Sequence, residues 1–193
     1  LNSKPFAIVV SAPSGAGKTT VCRTVTGRDA RLHYSVSATT RPRRKGEKNK
    51  KDYLFLSEAE FERGIKTGRF LEYAKVFGYY YGTPKGNFVR ALASGSDVIM
   101  DLDLEGCRSL QKLYPDCVTI FLAPPSWDEL KQRLRKRGTD SAAEINKRLA
   151  RVEVEMKSMA EFQYVVINQK LEVAVRNILA IIHAERLKTG RYL

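Results

Sequence analysis

The segment APSGAGKT, residues 12–19, combines small residues with a terminal Lys-Thr pair. The apolar run PFAIVVS precedes it, and the helical pattern TTVCRTVTG follows. That context predicts a phosphate-binding loop between a strand and a helix. The small residues Ala12, Pro13, Ser14, Gly15, Ala16 and Gly17 let backbone N–H groups curl toward a phosphate. The helix N-terminus that starts near Thr20 adds positive potential. Lys18 would reach the β- and γ-phosphates, and the Thr19 hydroxyl would ligate Mg²⁺. The usual pattern has Gly where Ala12 stands, and Ala fits there if that backbone has negative φ. Such a loop serves motors, GTPases, transport ATPases and small-molecule kinases, and does not choose among them.

A second chemistry lies in RPRRKGEKNKK, residues 41–51, where seven side chains are Lys or Arg and one is acidic. A second basic run covers residues 131–151, within a net charge of +13. A guanidinium forks onto two phosphate oxygens and keeps its charge at any working pH. Nucleic acid or a small polyanionic ligand would both use these patches. Base-stacking aromatics interleaved with the basic runs are missing, which speaks against specific nucleic-acid binding. In DVIMDLD, Asp101 and Asp103 are placed at the end of a short apolar strand. An Asp beside a phosphate loop can hold Mg²⁺ through its waters.

The elements that must position these groups alternate along the chain. HYSVSATT and DYLFLS read as half-buried strands around the basic loop, and FLEYAKVF as another strand. SEAEFERGIKTG reads as a helix with Ser57 as N-cap and Glu60 completing a capping box. TPKGNFVRALASG fits a helix with its proline near the start and Gly95 past the end. LEGCRSLQKLY is a helix, CVTIFLAPP a strand, and SWDELKQRLRKRG a helix capped by Ser126. DSAAEINKRLARVEVEMKSMAEF reads as one long charged helical run. YVVIN is a last strand and LEVAVRNILAIIHAERLK the closing helix. The order predicts an α/β fold with a mainly parallel sheet flanked by helices.

Composition narrows the class further. No apolar run reaches membrane-spanning length, so no membrane association is expected. No signal-peptide pattern opens the chain, and Leu1 in place of Met points to a trimmed start. Cys22, Cys107 and Cys117 are odd in number and form no C-x-x-C pair. That fits a reducing cytoplasm rather than a disulfide framework. The two histidines, His33 and His183, are too far apart for a His/Cys metal site to be expected.

Taken together, SAPSGAGKT, YSVSATTRPRRKGE, DYLFL, FLEYAKVFGYYYGTP, VIMDLDLEG, RLRKRGTD, INKRL and VVIN occur in the order found in guanylate kinases. The chain resembles that family, in its bacterial type, from about residue 6 to 188. Bacterial members often carry Ala at the position of Ala12. The resemblance implies a P-loop NTPase-type single domain: core about 4–37, 95–125 and 161–193, a GMP-binding lobe about 38–94, and a helical lid about 126–160. It also implies transfer of the γ-phosphoryl group of ATP to GMP, with Mg²⁺ as cofactor and ATP and GMP as partners. The oligomeric state stays open, a homo-oligomer included.

By the same resemblance, Arg41 and Arg44 bind the GMP phosphate, with hydroxyl donors from Tyr53 and Tyr81. Glu72 would face the N1–H and N2–H donors of guanine. Ser37 and Thr83 resemble the family's hydroxyl contacts, and Asp103 a second acidic contact. Lys18, Arg41, Arg137 and Arg148 match catalytic positions, and cations beside the moving phosphoryl group stabilise its developing charge. Arg133 would touch ATP phosphates, Asn168 the adenine side, and Thr19 with Asp101 the metal. Glu105 stands where the family commonly has Gln, and Gln169 where Asp is frequent. Lys45, Lys48, Lys50 and Lys51 match no family contact and read as a solvated rim that attracts anions. The closest rivals are a kinase for another nucleoside monophosphate and an inactive guanylate kinase-like interaction module.

Overall fold

The computed structural model describes residues 3–136 and 152–192, with the backbone only for 133–136. Strand β1 (Ala7–Ser11) is buried along its whole length. Its alternation feeds two cores. Ile8 and Val10 pack with Val21, Val25, Val175 and Ile178 on one face, and Ala7 and Val9 with Phe88, Met100 and Leu110 on the other. Both faces being covered is the condition a parallel sheet needs.

That sheet has five parallel strands in the order β2 (Leu32–Tyr34), β7 (Asp97–Asp101), β1, β8 (Val118–Ala123), β9 (Tyr164–Ile167). Helix α1 (Lys18–Thr26) packs against the closing helix α7 (Leu171–Arg186). Arg186 fixes α7 to the sheet through Asp97 at 2.7 Å and Asp29 at 2.6 Å, and Asp97 also accepts the N–H of Phe6.

A second, four-stranded sheet runs β4 (Leu54–Phe55), β3 (Ala38–Thr39), β6 (Tyr79–Pro84), β5 (Phe70–Val76). Helix α2 (Glu58–Lys66) covers it and opens on the expected Ser57–Glu60 capping box. Phe61 is stacked between Phe70 and Tyr80, with ring centroids 4.3 and 5.1 Å away. Helices α3 (Lys85–Ala93) and α4 (Leu104–Leu113) complete the packing, and α5 (Trp127–Lys136) starts with Ser126 accepting the N–H of Glu129.

Four expectations change. HYSVSATT is two strands in two sheets, because the chain leaves the core at Ser35–Ser37; both halves keep period two, which hides the break. DYLFLS shrinks to two paired residues. GYYYGTP supplies β6, which no expectation covered, and Pro84 stands at the start of α3 as its N-cap, where the proline was expected. The hairpin turns on Phe77 (φ 51°) and Gly78 (φ 84°), a left-handed pair without the usual Asn-Gly signature. The long charged run is helical over 152–157 (α6) and tightens to a 3₁₀ turn at Ser158–Glu161; the rest of it lies outside the described residues.

Candidate functional site

β1 ends at Ser11, and the chain turns over at the carboxyl edge of the sheet, where ligands of open α/β sheets bind. Gly15 (φ 92°) and Gly17 (φ 88°) supply the left-handed backbone, while Ala12 has negative φ, so the absent glycine is not needed there. Asn168 donates to the Ala16 carbonyl at 2.7 Å, and a Cβ on Gly17 would stand 2.8 Å from its amide nitrogen. Asn168, expected at the adenine side, also braces the loop. Lys18 donates to the Leu102 carbonyl at 2.6 Å. The Ser14 N–H donates to Glu155 at 3.3 Å, a contact from α6 that the sequence did not suggest.

The register Val10↔Asp101 brings Asp101 alongside the loop. Thr19 donates to one of its carboxylate oxygens at 2.5 Å, and Tyr34 to the other at 2.7 Å. Two hard oxygen donors at a helix N-terminus fit a divalent cation that keeps waters and takes other ligands from phosphates. Among the described residues no group of three or more His, Cys, Asp or Glu forms a protein-only cage.

Arg41 and Arg44 lie together on the lobe. Arg41 is 9% exposed, pairs with Glu47 at 2.7 Å and stands over the Tyr53 ring, 5.4 Å from its centroid. The other Glu47 oxygen accepts the Arg44 N–H at 2.7 Å. Burial works to raise the Glu47 carboxyl, but the bonds from Arg41 and Arg44 outweigh it and hold the carboxyl below its ordinary range. Glu47 therefore sets both arginines. Its one sequence signal was being the sole acid in 41–51. Arg44 lines the larger cavity, whereas Arg41 is engaged by Glu47.

Glu72, on β5, is 6% exposed and accepts the Thr83 hydroxyl from β6 at 2.6 Å. Burial pushes its carboxyl up to about 7, the charge of Asp103 adds to the rise, and the Thr83 bonds pull against it. Asp103 is not on the strand but is the N-cap of α4, accepting the Gly106 N–H at 2.8 Å. The Ser37 hydroxyl is buried with no partner among the described residues.

Many of these groups line two adjoining cavities, though Arg41 and Asn168 line neither. One, about 310 Å³, is bounded by residues 12–15 and 17–20 of the loop together with Arg44, Tyr53 and Tyr81. The other, about 120 Å³, is bounded by Ser37, Glu72 and Asp101. Lys18, Tyr53, Val76, Tyr81 and Asp103 line both. Thr83 reaches the second through Glu72. Glu105 faces outward and pairs with Arg108 at 2.8 Å, away from both cavities. The side chains of Arg133, Arg137 and Arg148 lie outside the described residues.

A parallel sheet with a phosphate loop at its carboxyl edge, a β-rich lobe bearing paired arginines and a cavity between them define a P-loop nucleotide kinase. The guanylate kinase family profile matches residues 4–185. The guanylate kinase of Carboxydothermus hydrogenoformans is 45% identical over 97% of this chain and 92% of its own length. That of Symbiobacterium thermophilum is 44% identical over 97% and 89%. The crystal structure of guanylate kinase from Anaplasma phagocytophilum superposes with a TM-score of 0.85 at 32% identity, covering 99% of this chain and 91% of that one. The chain belongs to the guanylate kinase family.

Proposed function

We propose that this guanylate kinase transfers the γ-phosphoryl group of ATP to GMP across the two joined cavities. The ATP phosphates would lie on loop 12–19 and GMP against the lobe. The observation that carries this reading is the shared lining: Lys18 of the phosphate loop borders the same space as Glu72, Ser37, Tyr53 and Tyr81. A donor phosphate on Lys18 and an acceptor phosphate on Arg44 would meet end to end.

Glu72 and Asp103 would take the N1–H and N2–H donors of guanine, with Ser37 and Thr83 as its hydroxyl contacts. Adenine offers no donor at N1 and would leave a buried carboxylate unmatched, at about 1–3 kcal/mol or more. Arg41, Arg44, Tyr53 and Tyr81 would bind the acceptor phosphate. A phosphate oxygen of GMP attacks the γ-phosphorus in line, and no protein group needs to act as nucleophile. The protein aligns the two phosphates, neutralises their charge and excludes water. Thr19 and Asp101 would hold Mg²⁺, which neutralises phosphate charge when bound. Arg137 and Arg148 would cover the transferring group from a lid at about 126–160, opposite the GMP lobe at 38–94. The buried free thiols of Cys22, Cys107 and Cys117 suit a reducing compartment, and we place the enzyme in the cytoplasm.

A coupled assay of ADP release with GMP, AMP, dTMP and UMP tests the reading. GMP should be turned over far faster than the others. Lys18→Ala should abolish transfer, and Glu72→Ala should raise the GMP requirement. Equal turnover of AMP, or an unchanged KM for GMP in Glu72→Ala, would overturn it.

A further inference from the structure

Arg23 sits one helical turn beyond Thr19 on α1, outside every role assigned above. Its guanidinium reaches across to the lobe. It pairs with Asp52 at 2.8 Å and donates to the Lys51 carbonyl. It also lies over the Tyr34 ring, 5.5 Å from the centroid. Its Nε–H is buried without an acceptor among the described residues, so the outer nitrogens and the ring stacking decide where the group sits. Both members of the pair are about three-quarters buried, which shields them from salt more than an exposed pair.

The two ends of this contact are informative. On the core side, Tyr34 donates to Asp101, and Asp101 accepts the Thr19 hydroxyl. On the lobe side, Asp52 accepts the Lys48 N–H at 2.6 Å and is followed by Tyr53, whose side chain lines both cavities. One guanidinium thus joins the helix that carries the donor-phosphate loop to the turn that carries an acceptor-site tyrosine.

We propose that Arg23 is a positioning residue, a clip between α1 and the turn at 48–52 that sets the acceptor site at its working distance from the phosphate loop. With the clip intact, Tyr53 and the Arg41–Glu47–Arg44 group are held in register with Lys18 before GMP arrives. Without it, part of the binding free energy of GMP is spent drawing the lobe in. The loss should fall on the acceptor substrate, because Lys18 and Asn168 hold the donor loop through Leu102 and Ala16, without Arg23.

The inference rests on the acceptor-site assignment above, and the experiment separates the two. Steady-state kinetics and melting temperatures are measured for Arg23→Ala, Asp52→Asn and the double variant, with Tyr53→Phe alongside. Each single variant should raise the KM for GMP roughly fivefold, with kcat and the KM for ATP within about twofold. The double variant should be no worse than the poorer single one. An unchanged KM for GMP in Asp52→Asn and in folded Arg23→Ala, additive effects, or an equal rise in the KM for ATP would overturn the clip. Should Arg23→Ala fail to fold, Asp52→Asn decides alone. If Tyr53→Phe leaves the KM for GMP unchanged, the acceptor-site assignment falls as well.

Discussion

Thr83 donates its hydroxyl to Glu72 across 2.6 Å, between the two strands of the lobe hairpin and away from solvent. The carboxyl is pushed from 4.5 up to about 7, chiefly by burial. A folded-state pKa above the unfolded one favours folding at low pH, and that contribution is lost as pH climbs through about 7. Glu72→Gln, neutral throughout, should match the parent near pH 4.5. By pH 8 it should exceed the parent's stability by up to roughly 3 kcal/mol. Urea unfolding at the two pH values measures this.

The same raised carboxyl predicts how GMP binds. In the proposed contact, guanine donors would favour the ionised form, so GMP affinity should rise between pH 6 and 8 and binding should release a proton near neutrality. Calorimetry in buffers of different ionisation enthalpy reads the proton directly. Glu72→Gln should remove the part of that release centred near 7.

Gly106 offers a finer test of the proposed base pocket. A Cβ there would stand 2.8 Å from one Glu72 oxygen and 3.2 Å from Asp103. Gly106→Ala favours the helix intrinsically, so folding should survive. The displaced carboxylates should raise the KM for GMP about tenfold while that for ATP stays unchanged.

Lys50 holds a left-handed backbone, φ 65°, in the turn behind Tyr53. A side chain there is strained by about 1–2 kcal/mol. Lys50→Gly relieves this, less what glycine loses in backbone freedom, and should stabilise by roughly 0.5–1 kcal/mol. Calorimetric melting should register about 1–4 °C.

Asp97 has no exposed surface, and Arg186 is its charge partner. Arg186→Met leaves that carboxylate buried without its cation, and should destabilise by about 3–5 kcal/mol. The network lies away from both cavities, so the KM values of the surviving folded enzyme should not move. Denaturant titration beside kinetics checks both halves.

How much of this was legible beforehand follows from range along the chain. The phosphate loop, the Ser57 capping box and the Ser126 cap each involve residues at most a few positions apart, where φ preference and side-chain reach act directly. They fold as their letters read. The residue types of the proposed acceptor site came through the family resemblance, since an isolated Glu72 or Ser37 carries no local signature. Strand β6 was missed because its turn is set by a left-handed Phe77, which tertiary pairing imposes against propensity.

Sequence alone determined the chemistry on offer: a phosphate loop, paired arginines, and carboxylates in an α/β order. Tertiary structure decided which groups meet. The β5–β6 register put Thr83 on Glu72, the β1–β7 register put Asp101 on Thr19, and Asn168 went beneath Ala16. Those pairings join residues up to 152 positions apart. Such separations are closed by strand pairing and core burial over whole elements, which no short stretch of letters encodes.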